Sequence, residues 1–113
     1  MKFALMALAL VCSSSAFAAD YSSCRADFLK SADEYQAYMA AQSPACVDEM
    51  NKGEATRKTA VIIAQCKNAL FTLQPMKNRS SAVCDKCKGV DAKLAAVCKD
   101  EGAQNFVNKV KSL

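Results

Sequence analysis

Cys84-Asp85-Lys86-Cys87 is the short motif with an evident chemistry. Two thiols at C-x-x-C spacing can exchange disulfides when a helix N-terminus stabilises the thiolate. Against that use, no βαβ pattern surrounds the motif, no proline or aromatic residue stands within or beside it, and Cys24, Cys46, Cys66 and Cys98 would be left unexplained. A structural clamp is the expected role. Zinc would need four thiolate or imidazole ligands, and the chain has no histidine and one C-x-x-C pair. The same lack of histidine removes Ser-His-Asp and Cys-His catalysis. Asp33-Glu34 and Asp48-Glu49 are neighbours in helical segments, where adjacent side chains splay apart. The expectation is a protein without catalytic residues, metal or cofactor.

The cysteines must then be read through the compartment they occupy. Lys2 precedes an apolar run from Phe3 to Val11, and Ala16-Phe17-Ala18 offers small residues where a signal peptidase reads them. Residues 1 to 18 are therefore read as a secretory signal with cleavage after Ala18, and residues 19–113 as a single secreted, extracellular domain. The apolar run is well short of the roughly 20 residues of a spanning helix. Val11 before Cys12 also argues against a lipoprotein signal. Cleavage discards Cys12, one of seven cysteines, and leaves Cys24, Cys46, Cys66, Cys84, Cys87 and Cys98. An even number in an exported chain predicts three disulfides. Each would contribute about 2–4 kcal/mol against a typical net stability of about 5–15 kcal/mol. Six cysteines allow fifteen pairings. Because Cys84 and Cys87 share one helix face, they are expected to reach different partners and clamp two neighbouring helices.

The elements that position these residues are helical, since no segment shows the period-two alternation of a strand. The fold class expected is all-α, a compact disulfide-stapled bundle of five to six short helices. The first runs from Ser22 or Ser23, either able to cap it, to about Gln42, with Cys24, Phe28, Ala32, Tyr35 and Met39 on its core face. Ser43-Pro44 starts a second, which holds Cys46, Val47 and Met50 and ends at Gly53. A third, central helix is expected from about Glu54 to Leu73, with Thr59, Ile62, Ile63, Cys66, Leu70 and Leu73 as its stripe and Pro75 as its stop. Residues 75 to 81 then read as an exposed loop, and Asn78-Arg79-Ser80 within it as a candidate N-glycosylation site at Asn78. Ser81 can cap a short helix carrying Cys84 and Cys87, and Asp91 the next, carrying Leu94, Val97 and Cys98. A last helix displays Phe106, Val110 and Leu113.

Loss of Lys2 takes the formal net charge from +4 to +3, and the charges are unevenly distributed. Asp20, Asp27, Asp33, Glu34, Asp48 and Glu49 dominate the first third, while Lys52, Arg57, Lys58, Lys67, Lys77, Arg79, Lys86, Lys88 and Lys93 make the rest basic. The favoured reading is two halves that attract each other in the fold; the alternative is a basic face for an anionic partner. No nucleic-acid partner is expected, because the aromatics fall mostly on core stripes. A membrane-active role would use residues Phe106 to Leu113 against an anionic membrane surface, although a docked core helix is the favoured reading of that segment.

Saposin-like proteins resemble this chain in size, helices and three bridges, but open with C-x-x-C, which here supplies the fourth and fifth cysteines. The chain also resembles the elicitins of oomycetes: six cysteines, an all-helical domain behind a signal, and long first and second intervals such as Cys24 to Cys46 and Cys46 to Cys66. It departs from them where Cys66 to Cys84 is long and Cys84 to Cys87 minimal. That resemblance, carried over to the pairing, implies Cys24–Cys87, Cys46–Cys84 and Cys66–Cys98.

Exclusion and architecture together lead to a non-enzymatic binding or effector protein. Its partner is expected to be an extracellular protein or an apolar small molecule. Met39, Met50, Ile62, Leu70, Phe71 and Met76 are the candidate lining of an adaptable apolar pocket, with plain core filling as the competing reading. The alternatives are a membrane-active lytic or defence protein, and a secreted signal or inhibitor recognised through its surface.

Overall fold

The computed structural model describes residues 19–113. The signal read over residues 1 to 18, with its cleavage site and Cys12, lies outside the described residues. The domain is all-α, and three disulfides staple its helices.

Helix α1 (Tyr21–Ala40) starts at Asp20, whose carboxylate accepts the Ser23 N–H at 2.7 Å. The cap is thus Asp20 and not Ser22 or Ser23: Ser23 stands at the third helical position, where its amide needs an acceptor. Cys24, Phe28, Ala32 and Met39 are buried, with Tyr35 half-buried beside them. Pro44 disfavours helical backbone in the residue before it, so Ser43 is extended and begins α2 (Pro44–Met50), accepting the Cys46 N–H at 3.3 Å.

The expected central helix is interrupted. A turn region follows α2, then α3 (Thr59–Gln65), and the chain breaks at Cys66, which is extended, and at Asn68, which is left-handed with φ 52°. Asparagine tolerates that backbone better than most residues. Helix resumes as a π-segment, Ala69–Leu73, and runs directly into α4 (Gln74–Cys87). Pro75 does not stop it. Proline suits the first turn of α4, and the preceding i→i+5 bonding, seen from the Gln74 N–H to the Ala69 carbonyl, carries the chain into it. The loop expected over residues 75 to 81 is therefore helix, and Cys84 and Cys87 close this long helix in place of occupying a short one capped by Ser81. Asp91 caps α5 (Ala92–Val97) by accepting the Lys93 N–H at 2.8 Å, and α6 (Ala103–Lys111) follows Gly102.

Helix α1 packs against α6 and α4, α5 bridges α4 and α6, and α2 pairs with α3. Phe28, Leu94, Val107 and Val110 are fully buried, each contributing about 1.5–3 kcal/mol of apolar transfer free energy. Phe106 meets Phe28 edge-on at 6.4 Å and Tyr35 at 5.4 Å between ring centroids.

The bridges are Cys24–Cys87, Cys46–Cys66 and Cys84–Cys98. Only the first agrees with the pairing implied by the elicitin resemblance. The other two differ because α2 and α3 fold together, bringing the Cys46 and Cys66 Cα atoms to 4.9 Å, while Cys84 faces the end of α5. Cys84 and Cys87 do reach different helices, α5 and α1, as their shared face predicts. The acidic first third also meets its basic counterpart: Asp27 pairs with Lys86 at 2.6 Å, Asp33 with Lys111 at 2.7 Å, and Glu34 with Arg79. Exposed pairs of this kind each contribute little, so they orient α1 against α4 and α6 more than they hold it.

Candidate functional site

A cleft of about 450 Å³ opens where α4, α5 and the start of α6 face α1 and the α2–α3 pair. Met50, Ile62, Leu73, Val97, Ala103 and Phe106 supply its apolar surface. The disulfide Cys84–Cys98 forms part of the wall, so the link between α4 and α5 is covalent within the cleft itself.

Its polar groups fall into two sets. Tyr35 projects from the core face of α1, and its hydroxyl shares a hydrogen bond with Ser80 Oγ at 3.4 Å. Burial pushes its phenol above the ordinary value, with the Ser80 contact pulling the other way. On the opposite side Arg57, from the turn before α3, grips Asp100 with both terminal nitrogens, Nη1 to Oδ2 at 3.0 Å and Nη2 to Oδ1 at 2.5 Å. Nη2 also donates to the Lys52 carbonyl at 2.8 Å, while the buried Arg57 Nε has no partner. Burial acts to raise the Asp100 carboxyl, but the hydrogen bonds and charge of Arg57, with help from the Gly102 N–H and Lys77, outweigh it and hold the group below the ordinary carboxylate value.

The lining is electropositive. Arg57, Lys77, Lys88 and Lys99 face two carboxylates, Asp85 and Asp100. Asp100 is taken by Arg57 and Asp85 lies 3.8 Å from Lys88, leaving Lys77 and Lys99 without an ion-pair partner among the described residues. An apolar floor under unneutralised ammonium groups suits a ligand with a hydrocarbon part and an anionic or hydrogen-bonding head.

The residues singled out from the sequence are divided by the fold. Met50 and Ile62 line the cleft. Met39 and Met76 are buried in the core, at 7% and 4% exposure, without reaching it. Leu70 and Phe71 stand on the outer surface, 61% and 86% exposed. Asn78 is exposed on helix α4, with its Oδ1 accepting from Gln74 Nε2 at 3.0 Å. All six cysteines are bonded in pairs, and Cys84 is not paired with Cys87. Among the described residues no group of His, Cys, Asp or Glu could hold a metal ion, and no helix is long and apolar enough to cross a membrane. Sequence reasoning missed Arg57, Lys77 and Phe106 as cleft residues and treated Tyr35 only as core. Arg57 and Asp100 are separated by 43 positions, so no local pattern joins them.

The fold and cleft define a class, the small disulfide-stapled helical bundle with an electropositive, half-apolar pocket. The chain matches no protein-family model, no curated protein and no solved structure.

Proposed function

We propose that this is an exported, non-catalytic binding protein whose cleft takes an amphiphilic small molecule, the hydrocarbon part against Ile62, Leu73, Val97 and Phe106 and the anionic head toward Lys77 and Lys99. The observation that carries the reading is the combination, in one cleft of about 450 Å³, of an apolar floor with cations that have no internal partner. That volume lies within the range of small-molecule sites. The Cys84–Cys98 bridge in the wall supports it further, since a cross-linked wall resists the collapse that would close an empty apolar cleft.

Titration of the oxidised protein with a fluorescent fatty acid and a fluorescent sterol tests the proposal. The fatty acid is expected to bind saturably. Ala95→Phe, which fills the cleft from α5, should abolish binding, and Lys77→Glu should weaken it about tenfold, the equivalent of one charge-assisted hydrogen bond. Failure of both probes, together with native mass spectra showing no co-purifying lipid, would overturn it.

A further inference from the structure

We infer that the break between α3 and α4 is a docking edge for an anionic bilayer surface, separate from the cleft. Ile63, Leu70 and Phe71 flank this break and are 51%, 61% and 86% exposed. None of the three lines the cleft. Isolated exposed apolar residues are common on any protein, but three of the four large ones among the described residues, Val90 being the fourth, fall within nine positions around a single chain break.

The charge of the surrounding segment selects the occupant. Between residues 55 and 84 the chain carries Arg57, Lys58, Lys67, Lys77 and Arg79 and no Asp or Glu. Arg57 and Arg79 are engaged with Asp100 and Glu34. Lys58 and Lys67, nearest the apolar residues in sequence, are exposed and have no ion-pair partner among the described residues. Apolar side chains that enter the acyl boundary, with ammonium groups left at the level of anionic headgroups, are the chemistry of interfacial binding.

The edge is also held in place. The Lys67 N–H donates to Gln42 Oε1 at 2.7 Å, the Lys67 carbonyl accepts from the Tyr38 hydroxyl at 2.5 Å, and Ser43 Oγ donates to the Gln65 carbonyl at 3.3 Å. With Cys66 bonded to Cys46, the backbone of the break is fixed to α1 and α2. Contact therefore needs no ordering of the backbone of the break, only of the side chains it presents. The segment from Phe106 to Leu113, the earlier candidate for membrane contact, is instead docked, with Val107 and Val110 buried.

Co-sedimentation with vesicles of phosphatidylcholine containing 30% phosphatidylglycerol, against pure phosphatidylcholine, tests the inference. The oxidised protein should bind the anionic vesicles at low salt and release as salt rises. Leu70→Ser with Phe71→Ser, and separately Lys58→Glu with Lys67→Glu, should each reduce binding at least about tenfold. Both double variants should keep the wild-type melting temperature and fatty-acid affinity, so a failed cleft and a failed docking edge are told apart. Equal binding to neutral vesicles, unchanged binding by either double variant, or a stable dimer broken by the Leu70 and Phe71 substitutions would overturn it.

Discussion

The body formed by α1, α4, α5 and α6 and the arm formed by α2 and α3 are held in different ways. The body has the fully buried side chains of α1, α5 and α6, namely Phe28, Leu94, Val107 and Val110, and two bridges linking separate helices. The arm has one bridge, Cys46–Cys66, which joins α2 to the end of α3 and does not reach the body; beside its buried Met50 and Ile62, its ties to the body are polar: Arg57 with Asp100, Asn51 Oδ1 with the Gln104 N–H at 3.0 Å, and Gln42 and Tyr38 with Lys67. The cleft lies where the two meet. Cross-helix bridges thus hold the body, while the arm meets it through Met50, Ile62 and polar ties.

Removing one bridge from each region should separate these roles. Cys24 and Cys87 are 63 positions apart, so Cys24→Ala with Cys87→Ala forfeits about 4 kcal/mol of loop-closure entropy and should lower the global melting temperature most. Cys46 and Cys66 are 20 apart, so the corresponding pair of substitutions should cost about 3 kcal/mol and, by hydrogen exchange, loosen the arm before the body. Equal loosening of both regions would show that they unfold as one.

The seam itself depends on Gly102. Its φ is 103°, and a Cβ there would stand 2.2 Å from the Asn51 carbonyl oxygen. Gly102→Ala should cost up to about 3 kcal/mol through backbone strain and the forced retreat of the arm, and should weaken fatty-acid binding while the body keeps its exchange protection.

Asp100 gives the smallest effect and a pH signature. Its carboxyl is held below the ordinary carboxylate value, so its stabilisation is fully present above the unfolded value near 3.9 and is lost as pH falls through the lower folded value. Asp100→Asn should cost about 1.5 kcal/mol at neutral pH, the low end for hydrogen bonds to a charged group because Asp100 is partly exposed. It should also flatten the acid limb of a denaturation curve measured from pH 6 to pH 2.

Much of the body was legible in the sequence because its signals are local. Cys24, Phe28, Ala32 and Met39 recur at helical spacing and are buried together, and Asp91 caps α5. In the arm Ser43-Pro44 marks the start of α2, but α3 and the break were not legible. The stripe Ile62, Ile63, Cys66, Leu70 and Leu73 reads as one helix only if its phase is unbroken, and left-handed Asn68 resets that phase. Beyond it the buried positions are Ala69, Leu73 and Met76, which turns Leu70 and Phe71 outward. Pro75 misled for a related reason, since a preceding π-segment lets proline enter a helix it would ordinarily end. The cleft was the least legible, because Tyr35, Arg57, Lys77, Asp100 and Phe106 come from distant segments and meet only where the arm folds against the packed α1, α4, α5 and α6.

The most direct test of the account is a ¹⁵N–¹H NMR titration of the oxidised protein with dodecanoate below its micellar concentration. Saturable shifts centred on Tyr35, Ser80, Val97, Ala103 and Phe106, absent in Ala95→Phe, are the result expected. Shifts confined to Leu70 and Phe71, or no saturable shifts at all, would contradict it.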